Sequence, residues 1–459
     1  MSVSADTLVA GLESAIGAAH VSGDPALCEK YAVDGVIPSA VASPASAEQV
    51  VETVRFAKAH ELAVIPIGNG TKASIGMPPR RYDLALEVAA LNQISHYDPA
   101  DLTLSVDAGM SLAKLNEALA QQQQFLPLAV PFFEESTVGG AIAAGLSSAL
   151  RESYGSARDF LLGAEFVNGA GALSKSGGRV VKNVTGYDLH KLLIGSLGTL
   201  AVLTRLNFRT FPLPQGYGQL VADFSSVEEI NKFQSMVAKS PLSPTSLHIL
   251  SAEAAARVAA STHNRGASPA ALPPGQWQAC VGFEGDDSVL RRYSSDLTKH
   301  AQQCKAKSYF LLEEAAPKTS GAALRELLAN HARSSTLATI FRISTLPVFP
   351  ADVLRLGELA TQFSVPCSVF AQASGPLYFA LEPAAMNDET IAALTQIFSQ
   401  VCEYAAAHRG QACILFCPLE LKWAVNVWGP APNAGMMRRI KSAFDPQNIF
   451  APGRFVSGI

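Results

Sequence analysis

The chain has 459 residues, too many for one ordinary hydrophobic core, so we expect two or three lobes. Apolar residues make up 48 % and charged residues 16 %, a balance typical of a globular protein with extensive burial rather than of a disordered one. The formal net charge is −4, and basic residues form no run longer than a pair such as Arg80-Arg81, so we predict no nucleic-acid partner.

The N-terminal residues and the cysteines indicate in which cellular compartment the protein is expected. Residues 1–20 contain Asp6 and Glu13 and no basic n-region, unlike a signal peptide. The most apolar stretch, 192–206, is too short and too interrupted by glycines to cross a bilayer, so we predict no transmembrane segment. Seven cysteines form no CxxC pair, which favours reduced thiols and no metal or iron-sulfur site in this chain. We therefore expect a cytoplasmic protein.

Helix and strand signals alternate after residue 43 in an α+β pattern. Ser46 and Gln49 form a capping box ahead of apolar residues at helical spacing, which predicts a helix. A short strand at 63–67 follows and ends in a glycine turn. Residues 102–107 alternate between apolar and polar, as in a half-buried strand, and Ser111 is a helix cap for the apolar run after it.

Further along, strands are predicted at 179–184 and 200–208, on either side of a helix at 187–194. Two prolines, Pro212 and Pro214, then close this block. Glycine clusters become sparse afterwards, which indicates a second domain. Its predicted parts are helices at 226–238 and 353–363, a strand at 279–283 and a proline-rich loop at 268–275. A last helix at 436–444 precedes a compact turn. The predicted domains are 1–214, 215–404, and a C-terminal segment, 405–459, that returns to the first domain.

The first glycine-rich loop, at 65–72, directly follows a predicted strand. Its glycines permit positive φ and let successive amides converge on an anion, and Thr71 and Lys72 add a hydroxyl and a cation. A pyrophosphate would fit such a loop. A plain turn is the alternative, because GxG turns after strands are common.

The second loop combines hydroxyls with a glycine pair. Ser136 and Thr137 precede Gly139 and Gly140, and small residues continue to Gly145, so a bulky planar ligand could approach the backbone. The alternative is a tightly packed helix of small residues.

Three more glycine-bearing segments follow, at 154–159, 186–189 and 195–202. For the first, Arg158 and Asp159 have the plain interpretation of a surface ion pair, and for the second, Tyr187 has that of a core aromatic. The order of all the loops along the chain distinguishes them from isolated turns.

The succession IPIGNGT, STVGGAIAAG, YGSARD, KNVTGYDLHKLLIGSLGTLAVLT and FDPQNIFAPGRF resembles the p-cresol methylhydroxylase (PCMH) and vanillyl-alcohol oxidase family of FAD-binding proteins. Within that family it is most similar to the E-type FAD-binding subunits of bacterial glycolate oxidases. The resemblance covers about residues 34–214 and 405–459. It implies an α+β fold, in which a two-lobed PCMH-type FAD-binding domain carries an inserted α+β cap domain.

The resemblance also implies the cofactor and its contacts. FAD is expected to bind noncovalently, because members with covalent flavin have a histidine in the first loop, where this sequence has Asn69, Thr71 and Lys72. The implied cofactor-binding residues are Pro66, Ile67, Gly68, Asn69, Gly70, Thr71, Lys72, Ser136, Thr137, Gly139, Gly140, Gly145, Tyr154, Gly155, Arg158, Gly198, Thr199, Leu200, Val202 and Asn448.

The implied activity is that of an oxidoreductase subunit in a glycolate (2-hydroxy acid) oxidase or dehydrogenase complex, with a catalytic flavoprotein subunit and an iron-sulfur subunit as partners. Any membrane association would come through that complex. Two alternatives are a self-sufficient FAD oxidase or dehydrogenase of another small alcohol or hydroxy acid, and a scaffold subunit that keeps the fold without its chemistry.

No catalytic base is assigned. Catalytic relatives that oxidise 2-hydroxy acids carry clustered histidines in the C-terminal half, where this sequence keeps only His408, and many have glutamate and glycine at the positions of Leu197 and Ala201. His190 is a weaker candidate. Candidate carboxylate-binding cations are Lys182, Arg205, Lys422 and Arg454, although such side chains are more often solvated surface charges.

Overall fold

The computed structural model describes residues 5–179, 186–263, 276–314, 320–345, 356–358, 360–362 and 364–459. The predicted loop at 268–275, most of the predicted strand at 179–184 and Lys182 lie outside the described residues, and the predicted helix at 353–363 is described only at 356–358 and 360–362. Among the described residues, no helix combines the length and apolarity needed to cross a bilayer.

The first part of the N-terminal lobe is a four-stranded sheet in the order β1-β2-β4-β3, in which β2, β4 and β3 run parallel. The predicted capping residue begins α3, because Ser46 Oγ accepts the Gln49 amide hydrogen at 3.2 Å. The strands are β1 Val21–Ser22, β2 Ala40–Ala42, β3 Val64–Ile67 and β4 Leu84–Glu87, and the helices are α1 Ala5–Ile16, α2 Pro25–Lys30 and α3 Ala47–Ala59, with a 3-10 turn at Ala18–His20.

The second part is an antiparallel five-stranded sheet, β5-β6-β10-β8-β9, beside a two-stranded pair, β7 and β11. The strands are β5 Ile94–Asp98, β6 Thr103–Asp107, β7 Gln124–Phe125, β8 Leu161–Asn168, β9 Leu173–Gly177, β10 Ala201–Arg209 and β11 Phe211–Pro212. The helices are α4 Leu112–Ala120, α5 Val138–Ala144, α6 Arg151–Tyr154 and α7 Ala157–Phe160.

Two local predictions for this sheet are wrong. Strand β6 is buried at all five positions rather than at alternate ones, because its polar side chains bond to those of β10: Ser105 Oγ donates to Asn207 Oδ1 at 2.6 Å. The helix predicted at 187–194 is only a 3-10 turn, Leu189–Leu192. It is confined between Gly186 and Gly195, which both have positive φ.

The cap domain is built on an antiparallel eight-stranded sheet in the order β15-β12-β14-β13-β17-β18-β16-β19. Its strands are β12 Gly216–Phe224, β13 Ser246–Ser251, β14 Trp277–Gly285, β15 Ser308–Glu314, β16 Thr339–Ser344, β17 Cys367–Gln372, β18 Leu377–Leu381 and β19 Gln411–Phe416. Its helices include α8 Val227–Lys239, α9 Ala252–His263, α10 Asp287–Gln303, α11 Ser320–Ser334 and α12 Asp388–Ala407. The sheet extends beyond residue 404, where the inserted domain was predicted to end, because β19 pairs with β16.

The C-terminal segment, 419–459, leaves the cap sheet and returns to the N-terminal lobe. It contains α13 Leu419–Ala424, α14 Ala434–Phe444 and a 3-10 turn at Val456–Gly458. Its last part pairs with strand β3, where the Val64 amide donates to Ile449 O at 2.7 Å and the Ala451 amide to Val64 O at 2.8 Å.

One apolar cluster joins the cap domain to the N-terminal lobe. It packs Ile75, Phe132 and Leu146 of the lobe with Phe370 and Tyr378 of the cap sheet. One face of the cap sheet is therefore directed at the glycine-rich loops of the lobe.

Candidate functional site

A cleft in the N-terminal lobe lies where the glycine-rich loops meet. It encloses about 810 Å³ of empty space, counting its open mouth. Its lining residues are Ile65, Pro66, Ile67, Gly68, Asn69, Gly70, Thr71, Lys72, Ala73, Val88, Ala108, Thr137, Gly139, Gly140, Ala143, Ala144, Ser196, Leu197, Gly198, Ala201, Val202, Leu203 and Arg454.

The first wall is the loop after strand β3. A side chain on Gly68 would collide with the Thr137 hydroxyl, and Gly70 has a φ of +69°. Asn69 Nδ2 donates to Glu135 O at 2.8 Å, which ties this loop to the start of the second. Bare backbone therefore faces the cleft along this wall.

Lys72 is a buried cation in the first wall. Its side chain lies over the Phe132 ring, and its Nζ donates to Ser136 Oγ at 2.5 Å and to Thr71 Oγ1 at 2.9 Å. Burial lowers the pKa of Lys72 to about 8, although Glu326 and Glu135 oppose that shift. A buried ammonium with hydroxyl partners is suited to an anionic ligand.

The second wall is helix α5 and the residues before it. Thr137 Oγ1 accepts the Gly140 amide hydrogen at 3.1 Å and so caps the helix. A Cβ on Gly139 would lie 2.7 Å from Ala108 Cβ and 2.9 Å from Ala108 O, so only glycine allows this approach to the strand backbone. Ala143 and Ala144 continue the small-residue wall.

The third wall runs from Ser196 to Leu203. Gly198 has a φ of +71°, and a Cβ there would lie 3.3 Å from Pro66 Cδ across the cleft. Buried Lys441 holds this wall from behind, since its Nζ donates to Thr199 O at 2.7 Å.

The C-terminal segment contributes Arg454, which is 3 % exposed. Its guanidinium donates to Ala73 O and, at 2.7 Å, to Ile75 O. Its Nε is buried and has no partner among the described residues, so a donor remains free in the side chain that lines the cleft.

The structure brings twelve of the predicted cofactor residues to the cleft wall. They are Pro66, Ile67, Gly68, Asn69, Gly70, Thr71, Lys72, Thr137, Gly139, Gly140, Gly198 and Val202. Four others lie just behind it: Ser136 bonds to Lys72, Gly145 packs on Gly195, and Thr199 and Leu200 follow Gly198 as buried residues.

The remaining four lie apart from the lining residues. The Tyr154 hydroxyl donates to Glu284 of the cap domain, and its ring packs edge-on against Phe125 and Phe211. The other three are surface or turn residues, for which cofactor contact stays a prediction: Gly155, Arg158 and Asn448.

The other candidate side chains have partners outside the cleft. Arg205 Nε bonds to Asp107 Oδ1 at 3.0 Å, and Lys422 is paired with Asp34. His190 is buried, with its Nδ1 3.0 Å from Ser176 Oγ. His408 Nδ1 lies 2.9 Å from Tyr404 O at the end of α12.

Sequence reasoning missed several lining residues, including Val88 and Ala108. Ala143 and Ala144 stand in the small-residue run whose composition already indicated close packing on a ligand. Val88 and Ala108 follow strand ends and carried no signal, because their exposure to the cleft depends on how the two sheets pack.

These residues fit FAD. Glycine backbone and alanines leave room for a flat ring system, Lys72 offers a charge for a pyrophosphate, and the unpartnered Nε of Arg454 needs an acceptor. Within the described part of the chain, no group of three or more His, Cys, Asp or Glu side chains could hold a metal ion.

Comparisons with known proteins agree with this fit. The FAD binding domain model matches residues 38–177, and the model of the C-terminal domain of FAD linked oxidases matches residues 422–455. The fold is that of p-cresol methylhydroxylase (TM-score 0.73, 15 % identity, 98 % of this chain and 96 % of that one). The chain has the PCMH-type FAD-binding fold. The 4-ethylphenol oxidase of Gulosibacter chungangensis has the same fold, with a TM-score of 0.75 at 14 % identity over 99 % of this chain and 97 % of that one.

The relatives in sequence are named as oxidase subunits and dehydrogenases. Glycolate oxidase subunit GlcD of Bacillus subtilis is 25 % identical over 91 % of this chain and 89 % of its own length. Subunit GlcE of Escherichia coli is 35 % identical over 40 % of this chain, and D-2-hydroxyglutarate dehydrogenase of Xanthomonas citri is 33 % identical over 47 %. These two alignments span only 53 % and 47 % of the relatives. The predictions of an α+β PCMH-type fold, of FAD and of an FAD-dependent oxidoreductase are confirmed.

Proposed function

We propose that this chain is the FAD-binding subunit of a glycolate or related 2-hydroxy acid oxidase or dehydrogenase complex, which passes electrons to an iron-sulfur subunit beside a catalytic flavoprotein subunit. Two relatives named as glycolate oxidase subunits support the complex. Asn69, Thr71 and Lys72 in the first loop support noncovalent binding, since none of them is a histidine.

The chemistry of the cleft wall is the observation that carries this proposal. Among the described residues that line the cleft, Lys72 and Arg454 are the only titratable side chains, and both are cations. Oxidation of a 2-hydroxy acid needs a base for the hydroxyl proton as well as a cation for the carboxylate. The described part of the wall offers no imidazole or carboxylate, and this supports electron relay over independent substrate turnover.

The chain's own residues would hold the cofactor in three ways. Backbone amides of the first loop and the Lys72 ammonium would bind phosphate oxygens. Gly139, Gly198 and the alanines would let a flat ring approach the backbone, and Arg454 Nε would donate a hydrogen bond. Bound FAD supplies the hydride-accepting chemistry.

The test starts with an absorption spectrum of the purified chain, followed by acid precipitation. Yellow FAD in the supernatant is expected for a noncovalent cofactor. Glycolate and lactate, added anaerobically to the isolated chain, should then leave the flavin oxidised, and bleaching should require the catalytic subunit. Bleaching of the isolated chain would refute the relay role.

One observation favours a second candidate, a self-sufficient oxidase or dehydrogenase. Arg342 on strand β16 stands opposite Tyr378 and Cys413 of the neighbouring strands, on the sheet face that packs towards the lobe. Its Nε is buried and has no partner among the described residues. This cation is suited to a substrate carboxylate. An Arg342→Met variant that abolishes bleaching by an isolated chain, with unchanged FAD content, would support this candidate.

A further inference from the structure

Three charged side chains of the C-terminal segment are almost completely buried. Lys422, Lys441 and Arg454 are 2, 5 and 3 % exposed. Burying a cation is costly unless acceptors surround it. Here, many of the acceptors are main-chain carbonyls of the loops that form the cleft.

Lys441 holds the third wall of the cleft. All three of its N–H groups have acceptors: Thr199 O at 2.7 Å, Phe450 O at 2.8 Å and Asp445 Oδ2 at 2.7 Å. The other side of Asp445 is also engaged, since it accepts the Ile449 amide hydrogen at 3.1 Å. Thr199 directly follows Gly198, so the position of the third wall depends on this buried ammonium.

Lys422 and Arg454 hold the first wall in the same way. They donate to the carbonyls of three consecutive residues, Ala73, Ser74 and Ile75, which follow Lys72. Lys422 Nζ bonds to Ser74 O at 2.6 Å and to both Asp34 oxygens at 2.7 and 2.8 Å. Thus the first wall is tied to the C-terminal segment by two cations.

We propose that Lys422, Lys441 and Arg454 form a C-terminal clasp, a set of positioning residues that fixes the two opposite cleft walls and thereby controls the retention of FAD. If either wall moved outward, a buried cation would lose its acceptors, and an unpaired buried charge is strongly unfavourable. Docking of the C-terminal segment and binding of FAD therefore stabilise each other.

The first experiment removes the Lys422–Asp34 ion pair without leaving either charge buried and unpaired. The double variant Asp34→Asn/Lys422→Met deletes both charges of the pair, a change that folded proteins often tolerate. The matched control, Glu52→Gln/Arg55→Met, deletes an exposed ion pair of the same lobe. The dissociation constant of FAD is measured by titrating the apoproteins, alongside their thermal unfolding midpoints.

We expect the clasp variant to bind FAD at least about tenfold more weakly than the control, with an apoprotein unfolding midpoint within about 4 °C of it. An unchanged dissociation constant would overturn the proposal. A lower midpoint with unchanged FAD affinity would overturn it as well, because the cations would then serve the fold alone.

Hydrogen exchange of the wild-type chain tests the same linkage if the double variant does not fold. FAD should slow amide exchange at residues 73–75 and 196–200 and, together with them, at 434–455. Protection of the two loops with unchanged exchange in the C-terminal segment would refute the clasp. This experiment concerns FAD alone, so it is independent of the substrate and of the proposed complex.

Discussion

Two buried lysines beside the same cleft have different partners. Lys72 of the first loop bonds to the hydroxyls of Thr71 and Ser136, with no carboxylate in contact with it among the described residues. Lys441 of helix α14 is saturated by Asp445 and two carbonyls. A buried cation that is paired with a carboxylate of the protein fixes the segments that it joins. A buried cation whose only partners are hydroxyl groups can still pair with a negative charge on a ligand. The partners of a buried charge, rather than its burial, therefore separate the two roles.

The largest effect is expected from adding a methyl group at Gly139 in the second wall, where the new Cβ would lie 2.9 Å from Ala108 O. In Gly139→Ala, the new methyl group would meet Ala108 Cβ and Ala108 O, and the backbone atom cannot rotate away. We expect FAD affinity to fall at least about a hundredfold, about 2.7 kcal/mol, as measured by flavin content and titration. Gly178→Ala is the control, because nothing lies within 4 Å of its new Cβ. A fully flavinated Gly139→Ala protein would contradict the assignment of this wall.

The next effect tests the ligand-facing lysine. Lys72→Met should weaken FAD binding by about ten- to a hundredfold, since it removes the buried charge available to a phosphate. Lys114→Met, at an exposed position, is the control and should bind FAD like the wild type.

The pH dependence of FAD binding sharpens that test. Burial lowers the pKa of Lys72 to about 8 in the apoprotein, and an anion bound beside it would raise this pKa. FAD binding then takes up a proton above pH 8, so wild-type affinity should be constant below about pH 8 and fall as the pH rises above it. The Lys72→Met variant should lose this fall. An identical pH profile in both proteins would show that Lys72 does not face the bound anion.

A smaller effect is expected where the two domains meet. Tyr154→Phe removes the hydroxyl that donates to Glu284, a carboxyl group whose pKa burial raises. The loss of this donor should lower the free energy of unfolding by about 1–3 kcal/mol in urea titrations and leave FAD affinity unchanged. Tyr187→Phe is the control, because the structure exposes Tyr187 to solvent, so its interpretation as a core aromatic is wrong. Weaker FAD binding with unchanged stability would instead support the cofactor role that the sequence resemblance implies for Tyr154.

The smallest effect is expected at Arg158. This side chain is exposed and lies outside the lining residues, so Arg158→Ala should change stability by less than about 0.5 kcal/mol and FAD affinity by less than about twofold. A tenfold loss of affinity would place the 154–158 turn in the cofactor site after all.

Much of the N-terminal lobe could be predicted from local patterns. The helix Ala47–Ala59 begins directly after the predicted cap Ser46, and the strand Val64–Ile67 begins one residue later than predicted, because caps, apolar spacing and glycine turns act over a few residues. The all-buried strand Thr103–Asp107 was not predictable in the same way. Its polar residues are covered by Asn207 and Arg205, about a hundred positions away.

The candidate site shows the same division. The first loop was predicted to bind a pyrophosphate and the second to lie against a planar ligand, and in the structure both loops line one cleft. The turn at Tyr154 also contains a glycine but lies against the cap domain, where the Tyr154 hydroxyl donates to Glu284 on strand β14. A local motif specifies what a loop can do, whereas long-range strand pairing decides which loops come together.

The sequence by itself determined the class of cofactor loop, the α+β pattern and the PCMH-type resemblance, since these depend on ordered short motifs. Only the tertiary structure decided which charges are free for a ligand. Lys422 was a candidate for a substrate carboxylate, yet its ammonium is neutralised by Asp34, 388 positions earlier in the chain. The role of a buried charge depends on the atoms packed around it, and no local pattern records those atoms.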